Sequence, residues 1–166
     1  MITNLILSNI DYCNSLLAGA TNKALKPLQK MINRSVRFIY DLKKIQPTSQ
    51  FAFRAHFLPI YYRIQFKICL LAHKIIRGLS PDYLLDGLEM FHTTTKINLR
   101  AGQGRDSLMF KYPPVKSSQN SLFHKLISNW NGLPHHLRAT TTLDNFKIKL
   151  KTYLFKKASP SFIDHS

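Results

Sequence analysis

The stretch Pro59-Ile60-Tyr61-Tyr62-Arg63-Ile64-Gln65-Phe66-Lys67-Ile68-Cys69-Leu70-Leu71-Ala72-His73-Lys74-Ile75-Ile76-Arg77-Gly78 decides the fold class. Proline is tolerated in the first turn of a helix and glycine suits its end, so both punctuation marks agree. Ile60, Ile64, Ile68, Leu71 and Ile75 recur at intervals of four, four, three and four residues. On a helix those five share an arc of about 80°. Arg63, Lys67, Lys74 and Arg77 fall in the adjacent arc, which predicts a basic ridge beside the buried stripe. Phe66, Leu70 and Ile76 lie elsewhere around the cylinder, so this helix is expected to be covered on more than one side, as a core helix. Its cations also deny it the uninterrupted apolar run of about 18 residues that a membrane span needs.

Upstream, Ile2 to Leu17 has apolar residues at helical spacing, with Asn4, Ser8, Asp11 and Asn14 on the other face and Gly19 as a stop. This abrupt opening reads as a chain beginning inside a structural element. A second helix follows in Thr21–Leu42, with Leu25, Leu28, Ile32, Val36 and Ile39 as its stripe. Pro27 lacks the N–H that a helix interior requires, so regular helix is expected from about Pro27, with Lys30, Arg34 and Arg37 on a neighbouring face. Lys43 to Gln50 reads as a loop. Downstream, Ser80-Pro81-Asp82 reads as cap and first turn of a short helix reaching about Leu88. Between Thr93 and Pro114 the signal changes. Thr94, Thr95 and Ile97 favour strand, Gly102-Gln103-Gly104 marks a turn, and Leu108, Phe110 and Tyr112 alternate, which predicts an irregular hairpin. Ser117 or Ser118 then caps a helix carrying Leu122, Leu126 or Ile127, and Trp130, ended by Gly132 and Pro134. A last helix follows Thr142, with Leu143, Phe146, Leu150 and Tyr153 or Leu154 facing in.

The expected fold is mainly α, an irregular helical bundle with one small β-hairpin. A helical region over 1–90 and the hairpin with the C-terminal helices over 91–158 form one compact unit, with a disordered tail at 159–166. With 166 residues and 45% hydrophobic residues, the chain can bury a core without metals or disulfides. Cys13 and Cys69 stand far apart and read as small buried hydrophobes in a reducing compartment. No secretory leader is legible, so an intracellular location, nuclear or cytoplasmic, is expected.

The charge balance is lopsided, with 24 Lys and Arg against 8 Asp and Glu, a net charge of +16. Surplus of that size and sign points to a polyanion, nucleic acid ahead of an anionic membrane. From Leu42 to Pro81 there are seven cations (Lys43, Lys44, Arg54, Arg63, Lys67, Lys74, Arg77) and no acid. Lys147 to Lys157 holds five lysines and no acid. Tyr61, Tyr62, Phe66 and Tyr153 are interleaved with them and suit stacking on bases or sugars. Arg63, Lys67, Lys74, Arg77, Lys147 and Lys151, with Tyr61 and Tyr62, are the candidate binding residues. Enzyme chemistry is poorly served. Two-metal catalysis needs converging carboxylates, whereas Asp82 and Asp86 suit a helix first turn. His135-His136 has no third metal ligand in view. No G-x-S-x-G elbow exists, and Gly102-Gln103-Gly104-Arg105 lacks the lysine and context of a phosphate loop. No catalytic residue, metal or cofactor is assigned.

Six blocks, in order, carry a family resemblance. They are Ser8-Asn9-Ile10-Asp11-Tyr12-Cys13-Asn14-Ser15-Leu16-Leu17, Leu28-Gln29-Lys30 with Asn33-Arg34-Ser35-Val36-Arg37, and His56-Phe57-Leu58-Pro59-Ile60-Tyr61-Tyr62-Arg63-Ile64. The others are Gly78-Leu79-Ser80-Pro81-Asp82-Tyr83-Leu84, Trp130-Asn131-Gly132-Leu133-Pro134, and Phe146-Lys147 with Leu150-Lys151-Thr152-Tyr153-Leu154-Phe155. The chain resembles the region downstream of the palm, the thumb and C-terminal tail, in LINE-type (non-LTR) retrotransposon reverse transcriptases of the jockey and chicken-repeat kind. Phe57 stands where that family usually has Trp, and Asn9 where it usually has Arg. The metal-holding Tyr-X-Asp-Asp motif of the palm is absent from the sequence. The resemblance implies a non-catalytic piece of an RNA-directed DNA polymerase whose helices grip RNA or an RNA–DNA duplex. A second reading makes it a packing module for the remainder of a reverse transcriptase, with Ile2, Leu5 and Ile6 as the orphaned contact face.

Overall fold

A computed structural model of the chain describes residues 2–12, 14–84, 88–90, 108–110 and 121–163. The chain is mainly helical. Its elements run α1 (Ile2–Asp11), a 3₁₀ turn (Asn14–Gly19), α2 (Asn22–Ile39), α3 (Ser49–Arg54), α4 (Ile60–Ile76) and a 3₁₀ turn (Asp82–Leu84). They continue with β1 (Leu88–Met90), β2 (Leu108–Phe110), α5 (Leu122–Asn131), α6 (His135–Arg138) and α7 (Leu143–Ile163). Two compact units divide it, unit 1 from Met1–Phe66 with Lys151–Ser166 and unit 2 from Lys67–Leu150. The expected single unit with an internal boundary near residue 90 is therefore replaced by a discontinuous division. The division falls within α4 and α7.

In unit 1 the core gathers Ile10, Leu25, Ile32, Val36, Phe57, Ile60, Ile64 and Leu154. The first helix stops at Asp11 rather than Leu17, since the Asn14 side chain donates to the Asp11 carboxylate at 3.2 Å and turns the chain out of the helix. The second begins at Asn22, five residues before Pro27, with the Thr21 hydroxyl accepting from the Ala24 N–H at 3.4 Å. Pro27 removes only the bond to the Lys23 carbonyl, and both residues are exposed, so water can take that acceptor. Ser49 and Gln50, expected in a loop, open α3. Three helices end in the same way. Backbone bonds Leu42 N to Arg37 O, Phe57 N to Ala52 O and Leu79 N to Lys74 O close the left-handed turn found at helix C-termini. Gly78 supplies that conformation in α4, while Asp41 and His56 adopt it in α2 and α3 at φ of 49° and 55°. The helical backbone of α7 continues to Ile163, past the point where a tail was expected.

In unit 2 the core is built by Ile68, Ile75, Leu126, Trp130, Phe146 and Leu150. The Ser121 hydroxyl caps α5 by accepting from the His124 N–H at 3.2 Å, whereas Ser117 and Ser118 lie outside the described residues. Leu88, expected at the end of a helix, sits in β1, which pairs antiparallel with β2 in the register Leu88 with Phe110 and Met90 with Leu108. Of the expected hairpin, Thr94–Ile97 and the Gly102-Gln103-Gly104 turn lie outside the described residues. The free side of β2 is met by a side chain. Asn131 accepts from the Leu108 N–H and donates to the Leu108 carbonyl, both at 2.9 Å, as a neighbouring strand would.

Candidate nucleic-acid interface

The strongest charge feature lies on α2. Leu25, Ile32, Ser35 and Val36 are buried on one side. Lys23, Lys26, Lys30 and Arg34 are exposed, and with half-buried Arg37 they share an arc of about 80° on the opposite side. No Asp or Glu occurs anywhere in the helix. Lys26, Lys30 and Arg34 follow one another at about 6 Å along the axis, and the column from Lys23 to Arg34 is about 16 Å long. Lys23 also stands in the first turn, at the positive end of the helix dipole. A cation there costs about 0.3–1 kcal/mol that an anion would return. Arg37 is the exception within the column, its guanidinium reaching the carbonyls of Lys44 and Gln46 at 3.4 and 3.5 Å.

The residues expected on α4 and α7 have mixed fates. Arg63 is not a free cation: it makes a two-pronged ion pair with Asp11, with Nε at 2.9 Å from Oδ1 and a terminal nitrogen on Oδ2. The partners are 12% and 28% exposed, so the pair ties α4 to α1 and is withdrawn from any ligand. Arg77 lends its guanidinium to the Thr140 carbonyl at 3.2 Å and the Arg138 carbonyl at 3.5 Å. Lys147 is paired with Asp144 at 3.0 Å, one turn away on the surface. Lys151 lies 5.9 Å from the centre of the Phe155 ring. Lys74 is exposed and Lys67 half-buried, both without an ion pair among the described residues. Tyr61 is 57% exposed and stands edge-on to Tyr62 at 5.3 Å, while Tyr62 donates its hydroxyl to the Lys157 carbonyl at 3.3 Å. Within unit 1, only Tyr61 and Tyr62 of the candidates touch each other in these contacts.

No family model, curated protein or solved structure matches the chain. Blocks that carry the resemblance nonetheless have identifiable work in the fold. Asp11 of the first block, which accepts from Asn14 of the same block, meets Arg63 of the third. Gln29 of the second accepts from the Ile60 N–H at 2.9 Å, capping α4, and Asn131 of the fifth holds β2. Cys69 is buried, and Cys13, Asp86 and the Gly102–Arg105 segment lie outside the described residues. Among the described residues no helix is long and apolar enough to cross a membrane, and no three His, Cys, Asp or Glu residues converge on a common point.

His73 adds a titratable group in unit 2. It is fully buried, its ring stacked on Phe146 at 4.4 Å, and Nε2 donates to the Thr140 carbonyl at 2.9 Å, the same oxygen that Arg77 contacts. That leaves Nδ1 unprotonated and without a hydrogen bond among the described residues. Burial pulls its pKa below the ordinary 6.5; the Thr140 bond opposes this, and the Arg77 charge adds to it. The unfolded chain therefore takes up a proton first as pH falls. The contribution of His73 to stability is fully present above about pH 6.5 and falls below it, by up to about 1.4 kcal/mol per pH unit, until the folded-state pKa is passed. Urea titrations of wild type and His73→Gln between about pH 7.5 and 5 test this. The variant is expected to show the shallower pH dependence, and parallel curves refute the assignment.

Proposed function

We propose that this chain is a non-catalytic part of a LINE-type reverse transcriptase that holds RNA or an RNA–DNA duplex by its phosphates. The exposed, acid-free cation column of α2 is the observation that carries the reading. It offers four positive charges on a rigid line, fixed by a helix whose other side is locked in the core. The ordered blocks from Ser8 to Phe155 support the lineage, and the net charge of +16 supports a polyanionic partner. The chemistry that remains to this chain is grip rather than bond-making.

Fluorescence anisotropy with a labelled RNA, over about 50 to 200 mM salt, tests the reading. Four phosphate contacts predict a slope of log affinity on log salt of about −3 to −4. The triple variant Lys26→Gln/Lys30→Gln/Arg34→Gln is expected to flatten that slope by about 3, at about one per cation removed. Arg63→Gln is expected to leave it unchanged, since that cation is spent on Asp11. Absence of binding at the lowest salt, or a slope untouched by the triple variant, rejects the proposal.

A further inference from the structure

The α2 surface carries a second column beside the cations. Met31 and Phe38 are 45% and 69% exposed, and they fall about 80–100° around the helix from the centre of the basic arc. Phe38 lies one turn beyond Arg34, at the end of the charged line. From these two columns we infer that α2 takes single-stranded nucleic acid in preference to a duplex, an inference that rests on the phosphate-binding reading above.

The geometry separates the two ligands. The cation column is straight and about 16 Å long. That length of duplex holds about five base pairs at 3.4 Å each. It is about half of a helical turn of 10–10.5 base pairs. A given strand therefore winds to the far side of the duplex within the reach of the column, and a straight line of cations meets it only near one point. A single strand has no such constraint and can lie along the whole column. It also has two unlike edges, a charged one of phosphates and an apolar one of unpaired bases. With phosphates on Lys26, Lys30 and Arg34, the bases turn toward Met31 and Phe38, where an exposed ring offers a face for stacking. In a duplex those base faces are already stacked inside, and Phe38 has nothing to receive.

The test compares three labelled probes of equal length with the full chain at one salt concentration, a uridine 12-mer, an RNA duplex and an RNA–DNA hybrid. The single strand is expected to bind about tenfold more tightly than either duplex, and Phe38→Ala to lose about tenfold for the single strand alone. Unchanged thermal melting of Phe38→Ala, an exposed position, shows that the loss belongs to binding. Equal or tighter duplex binding overturns the inference, as does a Phe38→Ala variant that binds the single strand like wild type. If the charge-neutralised triple variant loses affinity for every probe while the duplexes win, phosphate binding by α2 stands and single-strand preference falls. If the triple variant binds every probe like wild type, both fall.

Discussion

Replacing Trp130 by alanine is expected to destabilise unit 2 by about 3–5 kcal/mol, the range for removing a large aromatic ring from a packed core. Trp130 is 1% exposed and lies 5.8 Å from the Phe146 ring and 6.3 Å from the His73 ring. Leu126, Leu137 and Leu150 of the same unit are themselves fully buried. Trp130, His73 and Phe146 come from three different helices and are all fully buried, so little of the lost volume is expected to be recovered. Trp130→Phe keeps most of the apolar area and is expected to cost no more than about 1.5 kcal/mol. Urea unfolding followed by far-ultraviolet circular dichroism measures both variants. A loss below about 1 kcal/mol for alanine would show that the ring is not a packed element of this core. As the chain has 1 Trp, fluorescence of the unmodified protein reports on unit 2 alone.

Arg63→Ala is expected to cost unit 1 about 2–3 kcal/mol. Breaking a fully buried ion pair by removing one partner costs about 3–5 kcal/mol, because the other charge is left without compensation. Here the carboxylate of Asp11 keeps some access to water, which lowers the figure. Arg63→Lys is expected to recover only part of the loss, since an ammonium group cannot reproduce the two-pronged geometry. The double variant Arg63→Ala/Asp11→Ala supplies the decisive comparison. Coupled residues lose less together than the sum of the single losses, and strict additivity would show that the pair contributes nothing of its own. Nucleic-acid affinity is expected to survive Arg63→Ala at temperatures where the fold persists, which separates this residue from the α2 column.

The helical character and the core helix were legible because their signals are local. Pro59, Gly78 and the isoleucine stripe between them lie within a single window, and Ile60, Ile64, Ile68 and Ile75 are buried as the spacing implies. The α2 site was half-hidden by one proline. Starting the helix at Pro27 leaves Lys23 and Lys26 off the cylinder, and only Lys30, Arg34 and Arg37 then share a face. The side chain that corrects this is Thr21, a good cap six residues before the proline. The fate of Arg63 could not be read from its helix at all, because Asp11 lies 52 residues away in sequence. The same holds for Leu88, whose partner is Phe110, and for Asn131, whose amide stands in for a strand. Ridge and stripe on one helix are local facts; what a cation is paired with is a tertiary one.

The discontinuous division has a consequence for how the molecule is made. Unit 2 is one unbroken run, Lys67–Leu150, and has all its parts once that run has left the ribosome. Unit 1 waits longer, since its first 66 residues must be joined by Lys151 onward before Leu154 and Phe155 can fill their places. Vectorial synthesis therefore delivers the later-encoded core complete while the earlier-encoded one is still open, the reverse of the usual amino-terminal-first order. A chain held on the ribosome with everything up to Leu150 outside the exit tunnel would carry one finished half and the basic α2 segment on the unfinished other.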